Sequence, residues 1–173
     1  MNKAIFLDRD GVINEDFGYV HSWEDFTFLP GVIEALGIFS SNNYKLIVVT
    51  NQSGIDRGFY SVAEFLTLTR NMQSYLVDRG VWIDGVYFCP HLPLQDQEGE
   101  TCLCRKPLPG LILQAAEEHD IDLSLSVMVG DKTSDVMAGT AAGVHLNVLL
   151  KGSNKQDGEV CYPDLLSFAN SFS

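Results

Sequence analysis

The chain has 173 residues, 46% of them apolar, and carries 23 acidic against 11 basic side chains, for a formal net charge of −12. Its length suits one compact domain, 1–173, and its apolar content is far above that of a disordered chain. The charge excludes most sequence-independent binding to nucleic acid or anionic membrane, which needs a basic surface. A small anionic ligand held at one local site remains possible.

The opening stretch MNKAIFLDRDG holds only four consecutive apolar residues, Ala4–Leu7, too few for a signal-peptide core. No apolar run approaches the roughly 20 residues that a membrane helix needs. A cytoplasmic chain, in which disulfides are rare, is therefore expected.

In chain order, Ala4–Leu7, Leu46–Val49, Val86–Cys89, Val127–Val129 and Val144–Leu150 read as strands, most of them rich in Val and Ile. Helices are predicted near 31–42, 61–78, 108–119 and 133–142. The second has a capping box in Ser61 and Glu64, an apolar stripe of Val62, Phe65, Thr69, Met72 and Leu76, and a stop at Gly80. Alternating β and α segments predict a doubly wound α/β fold with a parallel sheet, whose ligands bind outside the carboxyl ends of the strands. Residues 90–107 break the alternation as a long loop rich in Pro, Cys and polar residues. The stretch 152–159 reads as a polar, mobile tail, and 162–172 as a short closing helix.

Polar residues gather at the predicted strand ends. Asp8 and Asp10 follow the first strand two residues apart, and two such carboxylates repel unless a cation or a shared proton intervenes. Mg²⁺ is the simplest remedy, although the pair alone equally fits a polar strand exit. Strand two runs into Thr50-Asn51-Gln52-Ser53-Gly54, neutral donors suited to phosphate oxygens or to a plain turn. Arg105 and Lys106 supply adjacent cations before a helix. Gly130-Asp131-Lys132 closes strand four, with Asp135 a candidate helix cap. Together these groups suit phosphoryl transfer: an Asp nucleophile, cationic and hydroxyl donors for the equatorial oxygens, and a second Asp to move the proton.

The motifs DRDG at 8–11, Thr50, Lys106 and GDKTSD at 130–135 resemble the four motifs of the haloacid dehalogenase (HAD) superfamily of phosphatases. The resemblance implies a Rossmann-like HAD fold, with Asp8 as nucleophile and Mg²⁺ ligand and Asp10 as general acid/base that also reaches Mg²⁺ through its backbone carbonyl. It makes Asp131 the third ligand, and has Thr50 and Lys106 hold the phosphoryl group. Neither interval after the first two motifs is long enough for a large cap domain, so a capless member is expected.

Cys89, His91, Cys102 and Cys104 offer three thiols and one imidazole within one loop, 89–107, a recognised tetrahedral structural Zn²⁺ set with no position left for water. Such a site would pin the loop that carries Arg105 and Lys106. Cys161 stands apart without a role.

This zinc loop resembles the HAD branch that holds histidinol-phosphate phosphatases and heptose-bisphosphate phosphatases. The stretches LDRDGVIN, GYVH, VVTNQSGIDRG, CPH and CRKP favour the second. The resemblance then implies removal of the 7-phosphate from a heptose 1,7-bisphosphate by a monomer. Asp16, Phe17, Gly18, Tyr19, Asn51, Gln52 and Ser53 would contact the sugar, Arg105 the second phosphate, and Lys132 the metal edge. Loops 14–25 and 53–60 are the ones available to close over the substrate. Two non-enzymatic readings fit less well. A receiver domain would carry its phospho-acceptor at the end of strand three, where Cys89-Pro90 stands, and a zinc-stabilised binding module would be expected to lack one of Asp8, Asp10 or Lys106.

Overall fold

The computed structural model describes residues 1–150 and 159–172. Six strands, β1 (Lys3–Leu7), β2 (Tyr44–Asn51), β3 (Gly85–Cys89), β4 (Val127–Gly130), β5 (Leu146–Leu150) and β6 (Val160–Tyr162), form one sheet in the order β3-β2-β1-β4-β5-β6. Every pairing is parallel. Five helices connect and cover them: α1 (Val32–Ser41), α2 (Val62–Val77), α3 (Gly110–Glu118), α4 (Thr133–Ala142) and α5 (Leu165–Ala169).

The alternation of β1 explains the layering. Ile5 and Leu7 face a core with Val32, Leu36 and Phe39 of α1, Leu68, Met72 and Leu76 of α2, and Leu165 and Phe168 of α5. Ala4 and Phe6 face the opposite core, with Leu111, Ile112 and Ala115 of α3 and Ala138 of α4. A strand buried on both faces must be apolar throughout, which is why these strands read as unbroken apolar runs. Each fully buried large side chain contributes about 1.5–3 kcal/mol relative to exposure.

The order in which successive strands join the sheet reverses between β1 and β4, which pair in parallel through Leu7 and Val129. At such a switch point the loops above the strand ends part and leave a crevice. No domain is inserted between β1 and α1 or between β2 and α2 among the described residues. No helix there is long and apolar enough to cross a membrane.

Several expectations are corrected. The sheet has a sixth strand, Val160–Tyr162, pairing with β5, where only a tail and a closing helix were expected. The closing helix is confined to Leu165–Ala169 with a 3-10 turn after it. The tail reading, save residue 159, lies outside the described residues. The loop after β3 contains a 3-10 turn at Leu94–Asp96. In α2 the capping box forms as expected, but Val62 is exposed and Leu68 takes its place on the buried stripe.

Candidate active site

A cleft of about 610 Å³ opens at the carboxyl edge of the sheet, lined among others by Asp10, Asp16, Gln52, Arg105, Lys106 and Lys132. Behind its lining residue Lys106 the central strands end in polar side chains. Asp8 directly follows β1, Thr50 lies in β2, and Asp131 follows β4. Thr50 is fully buried and Asp8 nearly so.

Lys106 ties these groups together. Its ammonium sits 3.0 Å from Asp8 Oδ1 and 2.6 Å from Asp135 Oδ1, and donates to the Val49 carbonyl at 2.7 Å. Burial works against a charged lysine here, but the two carboxylates outweigh it and raise its pKa above the ordinary value. Asp8 is pushed up to about 7, chiefly by burial and next by the Asp135 charge, with Lys106 opposing both. Asp8 Oδ1 also accepts from the Arg9 N–H at 2.9 Å, so one oxygen is held in place.

Asp8 and Asp10 relieve their repulsion separately. The Asp10 carboxylate accepts from Arg9 Nη2 at 2.8 Å and Asn14 Nδ2 at 3.0 Å on Oδ1, and from Gln52 Nε2 at 3.0 Å on Oδ2. Both of its carboxylate oxygens are thus held by donors of their own. Asp8, Asp131 and Asp135 do present carboxylate oxygens within 4.8 Å of one another. Asp135 is already committed, to Lys106 and to the Lys132 backbone N–H at 3.1 Å, while Asp131 Oδ1 is buried without a hydrogen-bond partner. An orphaned buried carboxylate oxygen next to a second carboxylate fits a hard cation such as Mg²⁺. Gly11 makes the approach possible: its φ is +87°, and a Cβ there would lie 2.1 Å from Asp131 Oδ2. The start of α4 lies beside these groups, with Ser134 lining the cleft, and a helix start attracts phosphate oxygens.

Several curated proteins and solved structures similar to this chain carry one description. A D-glycero-β-D-manno-heptose-1,7-bisphosphate 7-phosphatase of Haemophilus influenzae is 49% identical over 164 residues, covering 92% of this chain and 87% of the relative. One from Helicobacter pylori is 53% identical over 150 residues, covering 86% and 84%. The crystal structure of a D,D-heptose 1,7-bisphosphate phosphatase from B. bronchiseptica, complexed with magnesium and phosphate, superposes with a TM-score of 0.87 at 32% identity and covers 98% of this chain and 97% of its own. The HAD-hydrolase-like family model matches residues 103–166. The chain belongs to the heptose-bisphosphate phosphatase family of HAD hydrolases.

This HAD phosphatase builds one wall of its cleft from the loop after β3, where Pro93, Leu94 and Gln95 line the opening. The four expected ligands converge there. Cys89 Sγ lies 3.8 Å from Cys102 Sγ and 2.9 Å from Cys104 Sγ, and His91 Nδ1 lies 3.3 Å from both Cys89 and Cys104. A tetrahedron built on Zn–S bonds of about 2.3 Å has edges of roughly 3.5–3.8 Å. Three of these four separations are close to that, the Cys89–Cys104 contact is tighter, and all four cysteines are free thiols. Gln97 braces the site by donating to the Leu92 carbonyl and Cys102 Sγ and accepting from the Cys102 N–H. Burial opposes ionisation of Cys102, yet donors from Gln97 and the backbone bring it down to about 6, which favours the thiolate that a metal binds. Arg105 Nη1 donates to the His91 carbonyl at 3.0 Å, linking the cleft-lining cation to a ligand residue.

Most of the expected substrate contacts line the cleft: Asp16, Gly18, Tyr19, Asn51, Gln52, Ser53, Arg105 and Lys132. Phe17 does not, being 67% exposed. Asn51 lines it, but both its amide atoms are occupied by the Lys106 backbone at 3.0 and 3.1 Å, so its side chain holds the loop exit. Lys132 lies 3.7 Å from Asp16 across the opening. Sequence reasoning missed three residues. Asp135 is more than a cap, because it pairs with Lys106, and buried Arg9 grips Asp10 and the Val20 carbonyl. Tyr60 bonds to Gln52. Their only signal was position, next to or a few residues after a motif.

Proposed function

We propose that the chain is a phosphoric monoester hydrolase that removes the 7-phosphate from D-glycero-D-manno-heptose 1,7-bisphosphate. The observation that carries this reading is the pairing of Lys106 with Asp8 at the β1/β4 switch point, beneath a cleft with a further cation, Arg105, at its wall. The relatives' names specify the β anomer, and we extend that preference to this chain.

Asp8 serves as the nucleophile. Its oxygen attacks phosphorus, the sugar oxygen leaves with a proton from Asp10, and an aspartyl-phosphate forms on Asp8. Asp10 then takes a proton from water as that water attacks phosphorus, releasing inorganic phosphate and restoring both carboxyl groups. Thr50 and Lys106 hold the equatorial oxygens, and Arg105 receives the second phosphate in the planar, two-pronged geometry that guanidinium favours. Asp8, the Asp10 carbonyl and Asp131 would hold Mg²⁺, which when bound supplies positive charge to the phosphoryl oxygens. Cys89, His91, Cys102 and Cys104 would hold a structural Zn²⁺.

We take the chain to act as a monomer, and the gathering of three cysteines with His91 as metal ligands rather than disulfides fits a reducing, cytoplasmic setting. The test is kcat/KM for both anomers of the heptose bisphosphate, for histidinol phosphate and for fructose 1,6-bisphosphate. The β-heptose bisphosphate should lead by at least about tenfold, a difference of roughly 1.4 kcal/mol. A preference for histidinol phosphate overturns the substrate assignment. Asp8→Asn should abolish phosphate release, and unchanged turnover would refute the nucleophile.

A further inference from the structure

We propose that Tyr60 is a positioning residue for the proton-transfer carboxylate, acting through Gln52. The inference rests on the assignment of Asp10 as the general acid/base.

Gln52 is buried and bridges Asp10 and Tyr60 through opposite ends of its amide. Its Nε2 donates to Asp10 Oδ2 at 3.0 Å and to Thr50 Oγ1 at 2.9 Å, and its Oε1 accepts from the Tyr60 hydroxyl. An amide side chain can turn over with little change in shape. Reversed, Gln52 would set a carbonyl oxygen against the Asp10 carboxylate, lone pair against lone pair. The carboxylate, which can only accept, fixes which end of the amide faces it, and the Tyr60 hydroxyl, donating to Oε1, anchors the far end in place. Burial pushes its pKa up to about 12, so it remains a protonated donor.

Tyr60 is itself held on two sides. The His21 ring stacks on it with centroids 4.9 Å apart and planes 5° from parallel. On another side the TNQSG turn passes so close that a Cβ on Gly54 would lie 2.2 Å from Tyr60 Cε1. Asp10 Oδ1 is meanwhile fixed by Arg9 and Asn14. The Tyr60–Gln52 contact therefore sets the remaining oxygen, the one free to exchange a proton with substrate and water. His21 and Tyr60 belong to the two loops that flank the cleft, so their stacking also joins those loops to the acid/base.

Tyr60→Phe keeps the ring and its stacking and removes only the hydroxyl. It should lower kcat about tenfold with KM within about twofold, since misplacement of a catalytic group acts on the reaction more than on binding. Gln52→Leu should also lower kcat, and adding Tyr60→Phe to it should cause no further loss, because the hydroxyl then has nothing to orient. Gln52→Glu, which keeps the acceptor for Tyr60 but faces Asp10 with an oxygen, should be slower than Gln52→Leu. An unchanged kcat in Tyr60→Phe, full multiplication of the two losses, or Gln52→Glu no worse than Gln52→Leu would each overturn the inference. Asp10→Asn separates it from its premise. Retained turnover there removes Asp10 from the chemistry, whereas lost turnover with a silent Tyr60→Phe removes only Tyr60.

Discussion

Asp8, Thr50 and Asp131 stand at the ends of strands whose flanking residues Leu7, Val49 and Val129 have no exposure at all. Residues 90–104, which form the opposite wall of the cleft, carry one short turn of helix and leave Leu103 77% exposed. The first region inherits its geometry from the sheet. The second has almost no apolar burial of its own and depends on four ligand side chains, the Gln97 bridge and two hydrogen bonds between Asn51 and the Lys106 backbone. One enzyme thus positions Lys106, the cation proposed to hold the phosphoryl group, and Arg105, the cation proposed to receive the second phosphate, by different physical means.

Lys106 belongs to both regions, and its removal should have the largest effect. Lys106→Met strands Asp8 and Asp135 as neighbouring buried carboxylates, which should cost about 3–5 kcal/mol in denaturant unfolding and abolish turnover. Unfolding unchanged at neutral pH would mean that the ion pairs contribute nothing. Removing the Zn²⁺ proposed for the four ligand side chains should separate the regions. Chelation, or Cys102→Ser, should leave the far-ultraviolet circular dichroism intact, open 92–104 to protease, and lower kcat/KM roughly 10–100-fold through displacement of Arg105. Equal loss of helix and strand signal would show that the loop is part of the sheet's stability after all. Arg105→Ala should raise KM for the bisphosphate about tenfold and leave a monophosphate of the same sugar nearly unaffected.

The smallest effect should come from α5, remote from both. Asp164 Oδ1 accepts from the Ser167 N–H at 2.7 Å as a helix cap, and Asp164→Ala should cost about 1 kcal/mol at neutral pH with no change in kcat. Backbone and side-chain hydrogen bonds from Ser167 hold this carboxyl below its ordinary value of 3.8. A depressed folded pKa means that the stabilisation is present above the unfolded value and disappears as pH falls through the folded one. The gap between parent and variant in thermal melts should accordingly close below about pH 3.8.

What could be read in advance followed from local rules. Apolar runs mark strands buried on both faces, and carboxylates, Thr and Lys in the right order mark the phosphoryl site. Strand β6 escaped because Val160–Tyr162 is three residues long, begins with an exposed Val160 and follows a polar stretch. The Asp135–Lys106 pair escaped because 29 residues separate its members, and the cap that Asp135 also makes explained it locally. Tyr60 and Asn51 escaped for a different reason. Their parts lie in which atom of an amide faces which neighbour, a property of the folded arrangement with no counterpart in spacing.

Asn51 and Cys104 together bracket the exit of the zinc loop, one gripping the backbone of Lys106 and the other fixing the chain two residues before it. Between Gln97 and Cys102, the exposed residues Glu98–Thr101 have neither duty, and Gly99 has nothing within 4 Å of a side chain it might carry. That tip is insulated ground. Insertions there should be tolerated without shifting the cations of the cleft, so the tip can vary in length while the phosphorus chemistry stays as it is.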